Sequence, residues 1–79
     1  MKKRNIIGDK LKKYRTLNNL SQRAFITKLS LCGLNLDQAT LARIETHNRE
    51  VYDYELLYFS KVLHIDINDL YEDVDLDYK

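Results

Sequence analysis

The 79-residue sequence has no proline, no tryptophan, two glycines and one cysteine. So few turn formers exclude a loop-rich or many-turned β fold. The single thiol, Cys32, excludes an intramolecular disulfide and suits a reducing compartment. It is expected as a small packed or half-exposed residue, since no neighbouring signal would activate it. No apolar run is long enough to span a membrane. The basic start, Met1-Lys2-Lys3-Arg4, is not followed by an apolar stretch of signal-peptide length. An intracellular, cytoplasmic protein without a membrane partner is expected. His47, His64 and Cys32 have no metal-ligand spacing, so no metal is expected. No nucleophilic triad, paired carboxylates or phosphate-cradling glycine loop occurs, which argues against an enzyme with a cofactor.

What is present is charge, unevenly placed. The formal net charge is +1. Residues 1–50 hold eleven Lys or Arg against four Asp or Glu, a net of +7. Residues 51–79 hold two Lys against eight Asp or Glu, a net of −6. A basic front half suits a polyanion, and an acidic rear orients the domain on approach.

Apolar spacing predicts five short helices and no strand in one domain spanning 1–79, with its core at about 5–71 and an acidic tail at 72–79. Ile7, Leu11 and Tyr14 make the inner stripe of a helix over 6–18, with Lys10, Lys12, Lys13 and Arg15 on its other faces. Asn18-Asn19 ends it and Leu20 turns inward. Ser21 caps a second helix whose inner face is Phe25, Ile26 and Leu29. Its amino end, with Gln22 and Arg23, can receive a phosphate. Residues 30–36 form a connector in which Leu31, Leu34 and Leu36 are expected to pack and Gly33 to turn the chain.

Leu36 to Glu45 reads L-D-Q-A-T-L-A-R-I-E. Asp37 can cap a helix here, and Leu41 and Ile44 share its buried face. Gln38, Ala39, Thr40 and Arg43 point elsewhere, which is the face a major groove accepts. By themselves these ten residues fit an ordinary solvated surface helix better. The charge split and the capped helix before them reverse that judgement. His47 or Asn48 must end this helix in the left-handed conformation without glycine. Asp53 is expected to cap a fourth helix over 54–63, with Leu56, Phe59, Ser60 and Leu63 inside and His64 as its stop. Ile65 bridges to a last short helix capped by Asp66, with Ile67, Leu70 and Tyr71 inward. The tail that follows alternates acidic and apolar residues and is expected to fray or to form a weak partner strand.

Together, Ile7-Gly8 to Arg15, Leu20-Ser21-Gln22, Gln38 to Glu45, Asp53-Tyr54-Glu55-Leu56 and Phe59 to Leu70 resemble the XRE family. This is the Cro and lambda-repressor-like helix-turn-helix family of bacterial and phage regulators. The resemblance implies an all-α, five-helix domain whose third helix enters the major groove. By position it places Gln38, Ala39, Thr40 and Arg43 at base edges or nearby phosphates, and Gln22, Asn48 and Arg49 on the backbone. It also implies an ion pair of Arg15 with Glu45. The sequence departs from the pattern in its longer connector, in Ile26 where alanine is usual, and in His47 and His64 in place of helix-ending glycines. Ala39 is a weak reader, able to touch only a thymine methyl.

The expected function is a small transcriptional regulator, a repressor acting as a homodimer on an inverted repeat in double-stranded DNA. Gln38 would contact adenine, and Arg43 guanine or a phosphate. Lys2, Lys3, Arg4, Lys28 and Arg49 would add salt-sensitive affinity. Tyr52, Tyr54, Tyr58, Tyr71 and Leu57 form a dimer surface or cap the core. The competing expectation is a protein-interaction module, an antitoxin or adaptor, that meets a regulatory protein partner through its acidic, Tyr-rich rear half.

Overall fold

In the computed structural model, which describes residues 2–74, the elements are α1 (Gly8–Leu17), α2 (Gln22–Cys32), α3 (Gln38–Glu45), α4 (Asp53–Leu63) and a closing 3-10 turn (Ile67–Tyr71). The class is all-α as expected. The count of five α-helices is corrected to four, because Ile67–Tyr71 is a 3-10 helix of one short turn. Of the acidic tail, residues 75–79 lie outside the described residues.

The helix boundaries follow local chemistry. The Ser21 hydroxyl accepts the Ala24 amide at 3.0 Å, and the Asp37 carboxylate accepts the Thr40 amide at 2.7 Å. Both side chains satisfy first-turn donors that have no partner inside the helix. Asn19, His47 and His64 adopt positive φ of 58°, 65° and 57°, reversing the chain after α1, α3 and α4 without glycine. Gly33 takes φ 111° after α2, a conformation with no steric cost only for glycine.

One buried cluster unites the elements. Ile7 and Leu11 come from the first segment, Phe25 and Leu29 from α2, and Leu41 and Ile44 from α3. Phe59, Val62 and Leu63 of α4 and Leu70 of the closing turn complete it. Phe25 and Phe59 meet at its centre with ring centroids 5.9 Å apart. Each fully buried apolar side chain contributes about 1.5–3 kcal/mol, so a core of this size can hold four helices together.

Several local expectations are corrected. α2 runs to Cys32, so the connector shortens to residues 33–37. Leu31 consequently lies on the outer face of a helix and is 83% exposed, and Cys32 is exposed too. Leu34 is buried as expected, while Leu36 is half-buried. Tyr52, not Asp53, is the N-cap of α4; the Glu55 carboxylate reaches back to the Tyr52 amide at 2.9 Å. Val62 is buried beside Leu63, and Ser60 only borders the core, its hydroxyl donating to the Leu57 carbonyl. Asp66 is the N-cap of the closing turn as expected, and the Asp69 carboxylate accepts the Asp66 amide at 3.0 Å. Tyr71 is exposed, not inward.

Candidate nucleic-acid interface

The candidate interface is built outward from a buried ion pair. Arg15, late in α1, donates from Nε to Glu45 Oε2 at 2.7 Å and from Nη2 to Glu45 Oε1 at 3.0 Å. The two residues are 7% and 6% exposed. Arg15 Nη1 also donates to the Leu20 carbonyl at 2.8 Å, fixing the turn before α2. The planar guanidinium matches both carboxylate oxygens at once, so α1 and the end of α3 are set in angle as well as distance.

Gln22 continues this network to the surface. Its Nε2 donates to Glu45 Oε1 at 3.1 Å, and its Oε1 accepts from Gln38 Nε2 at 3.2 Å. The amino ends of α2 and α3 are therefore tied side chain to side chain. Gln38 is exposed but oriented by its partner. Gln22, half-buried, works inside the protein here as well as standing at the start of α2.

The outer face of α3 presents Ala39, Arg43 and Thr46, with half-buried Ala42 between them and Gln38 at one edge. Thr40 is half-buried at the opposite side of the first turn. Arg43 makes no ion pair with the described residues, so its charge is available to a ligand. The spacing 39, 42, 43, 46 is the one-face repeat of a helix, and from it Ala42 and Thr46 could have been added to the sequence list. Small residues at 39 and 42 allow a ligand to approach the backbone closely. The Asp37 carboxyl lies below the ordinary carboxylate range, held there by hydrogen bonding from the Thr40 side chain and then its amide. The cap therefore stays charged at neutral pH.

Arg23 is exposed on the first turn of α2, and Asn48 is exposed after α3. Arg49 is placed differently from the expectation of a free phosphate contact. Its Nη1 donates to Glu55 Oε1 at 2.7 Å and to the Glu50 carbonyl at 2.8 Å, and its guanidinium lies 4.8 Å from the centre of the Tyr52 ring. Glu55 is 1% exposed and its hydrogen bond raises the Arg49 pKa further. Most of the Arg49 charge is thus matched inside the domain.

Two positioning residues were missed from the sequence. Asn5 is buried; its Nδ2 donates to the Ile44 and Arg49 carbonyls, each at 2.9 Å, while Oδ1 accepts the Ile7 and Gly8 amides. It caps α1 and binds the end of α3 together. Gly8 is the second. A Cβ there would lie 2.1 Å from the Ile44 carbonyl oxygen, so α1 crosses α3 at backbone contact. Ile26, where the resemblance makes alanine usual, is half-buried at the rim of the core.

Among the described residues no helix is long and apolar enough to cross a membrane, and no group of three or more His, Cys, Asp or Glu could hold a metal ion.

No family model matches the chain, and no curated protein matches it. Among solved structures, the restriction-modification controller protein C.AhdI from Aeromonas hydrophila is similar. The TM-score is 0.70 over 81% of this chain and 89% of that one, at 25% sequence identity. The all-α fold is thus like that of this controller protein, in keeping with the family its motifs resemble.

Proposed function

We propose that the protein is a sequence-specific regulator of transcription that binds duplex DNA through α3. The observation that carries this reading is the outer face of α3, where Gln38 is oriented from within. Gln38 is held by Gln22, which is held by Glu45, which is held by Arg15. A solvated surface helix has no need of such a chain of supports. A positioned glutamine can make a bidentate contact to adenine, and Arg43 to guanine or a phosphate; each good contact discriminates by about 1–3 kcal/mol. Arg23 and Asn48 flank α3 and would hold the phosphates on either side. Likeness to a restriction-modification controller protein supports the same reading.

One eight-residue helix reads few base pairs, so the reading includes a homodimer on an inverted repeat, acting as a repressor. Tyr52 and Tyr54 stack with centroids 5.9 Å apart, and both are exposed together with Leu57 on α4. That apolar surface favours a dimer, and it is also the feature that a protein-docking module would use. A gel-shift survey of genomic fragments from the source separates the two. Salt-dependent specific binding that is lost in Gln38→Ala/Arg43→Ala supports the regulator. Binding to no fragment at all rejects it. An inverted repeat upstream of the reading frame would mark the first fragment to try.

A further inference from the structure

We propose that Asp37, besides capping α3, reads a base and makes the start of that helix prefer a cytosine. The proposal rests on the DNA-binding reading and names one base within the duplex that reading requires. It starts from a charge that the domain leaves unmatched. Residues 1–50, the basic half of the chain, hold four acidic residues: Asp9, Asp37, Glu45 and Glu50. Glu45 is paired with Arg15 and Glu50 with Arg4, and Asp9 lies 3.9 Å from Lys10 Nζ and 3.5 Å from His47 Nε2. Asp37 makes no ion pair with the described residues. It is exposed and stands immediately before Gln38, at the amino end of α3. In a helix laid into the major groove, that end meets the base edges.

Capping does not use up this side chain. The Thr40 amide takes Oδ1 at 2.7 Å, and a carboxylate offers about four acceptor sites on its two oxygens. Capping does not require the charge either, since serine caps as well as aspartate and Ser21 does so for α2. An unmatched carboxylate on a face turned to a polyanion is repelled unless a base offers it a donor. In the major groove those donors are the amino groups of cytosine and adenine, whereas guanine and thymine present only acceptors there. Adenine sets its N7 acceptor beside the amino group, where it opposes the second carboxylate oxygen. Cytosine offers N4 with no acceptor of its own next to it, so it is the base that an aspartate at this place accepts.

The test selects binding sites from a randomised duplex library with the full chain, Asp37→Asn and Asp37→Ser. Both replacements are good caps, so the variants should fold, and thermal melts check that they do. The parent should enrich cytosine at one position of its site, by about fivefold or more over the other bases. Asp37→Asn should move that position toward adenine, whose N6 and N7 an amide can engage together, and Asp37→Ser should leave it without a strong preference. The remaining positions should not change. Both variants should also bind unrelated duplex more tightly than the parent, because one charge that repels the phosphates is gone. A role in capping alone would move neither readout. The same selected sequence from all three chains, or no cytosine in the parent's, overturns the assignment while leaving DNA binding through α3 intact. A library that the parent chain does not enrich at all overturns the underlying reading as well.

Discussion

Arg15 and Glu45 lie thirty residues apart and meet as a two-pronged ion pair, both nearly excluded from solvent. Removing one partner leaves a charge without compensation in the core. Glu45→Ala should therefore destabilise the domain by about 3–5 kcal/mol, as should Arg15→Ala. Replacing both, as Arg15→Ala/Glu45→Ala, should cost less than the sum, because neither charge is then left buried without its partner. Urea unfolding of the four chains gives the cycle. A double variant that loses the sum of the two single losses would show that the pair acts as two independent contacts.

Gln22 transmits that rigidity to Gln38. If it does so for function, Gln22→Ala should weaken duplex binding, although the residue need not touch DNA. Gln38→Ala should cost about 1–3 kcal/mol against the preferred base. The double variant should then lose little more than Gln38→Ala alone, since contacting residues are not additive. Titrations with operator and with one base-substituted operator measure both effects. Additive losses would mean that Gln22 meets the phosphates independently.

Much of this arrangement is legible in the sequence because it is local. Ser21 and Asp37 as caps, Asn19, His47 and His64 as helix stops, and the apolar stripes of α1 to α4 depend on residues within one or two turns. Leu31 misled because its apolar character was visible while the extra turn of α2 that points it outward was not. Glu55 and Asn5 were illegible for another reason. A glutamate in a helix first turn and an asparagine before a helix are ordinary solvated residues until distant carbonyls and Arg49 close around them. The same closure explains Arg49, whose position matches a phosphate contact but whose charge is matched by a carboxylate six residues on.

Gly8 is required by proximity, not by backbone conformation. A methyl at this position would press on the Ile44 carbonyl at 2.1 Å and on Asn5 Oδ1 at 3.1 Å. Alanine ordinarily favours a helix over glycine by about 1 kcal/mol. Here Gly8→Ala should instead destabilise by about 1–3 kcal/mol, the usual cost of overpacking, by levering α1 from α3. Thermal unfolding checks the sign. A stabilised variant would mean that α1 shifts freely and that the close crossing is not a constraint.

Asp37 gives a pH-dependent signature. Hydrogen bonding from the Thr40 side chain and amide lowers its folded pKa. A lowered folded pKa means that the carboxylate's contribution is full at pH values above its unfolded pKa. It is lost as pH falls through the folded value, when the cap protonates in the native state. Asp37→Ala should lower stability near neutral pH, as loss of an N-cap does. The gap between the two chains should close as pH drops below the ordinary carboxylate range. Parallel urea melts from neutral to strongly acidic pH test this, and a gap that stays constant would assign the loss to helix propensity alone.

The surface that would make the homodimer is open to the same kind of test. Tyr54 and Leu57 on α4 are 51% and 60% exposed, and neither belongs to the buried core. Replacing them with polar residues should therefore leave monomer stability within about 0.5 kcal/mol, as surface substitutions do. Tyr54→Ser/Leu57→Gln should nevertheless convert a dimer to a monomer in sedimentation and weaken operator binding far more than half-site binding. The difference arises because linked half-sites gain from effective concentration, a gain of order 10²-fold or more that vanishes with the dimer. If the double variant sedimented like the parent chain, the Tyr-rich face would be free for another protein, and the dimer contact would have to lie elsewhere.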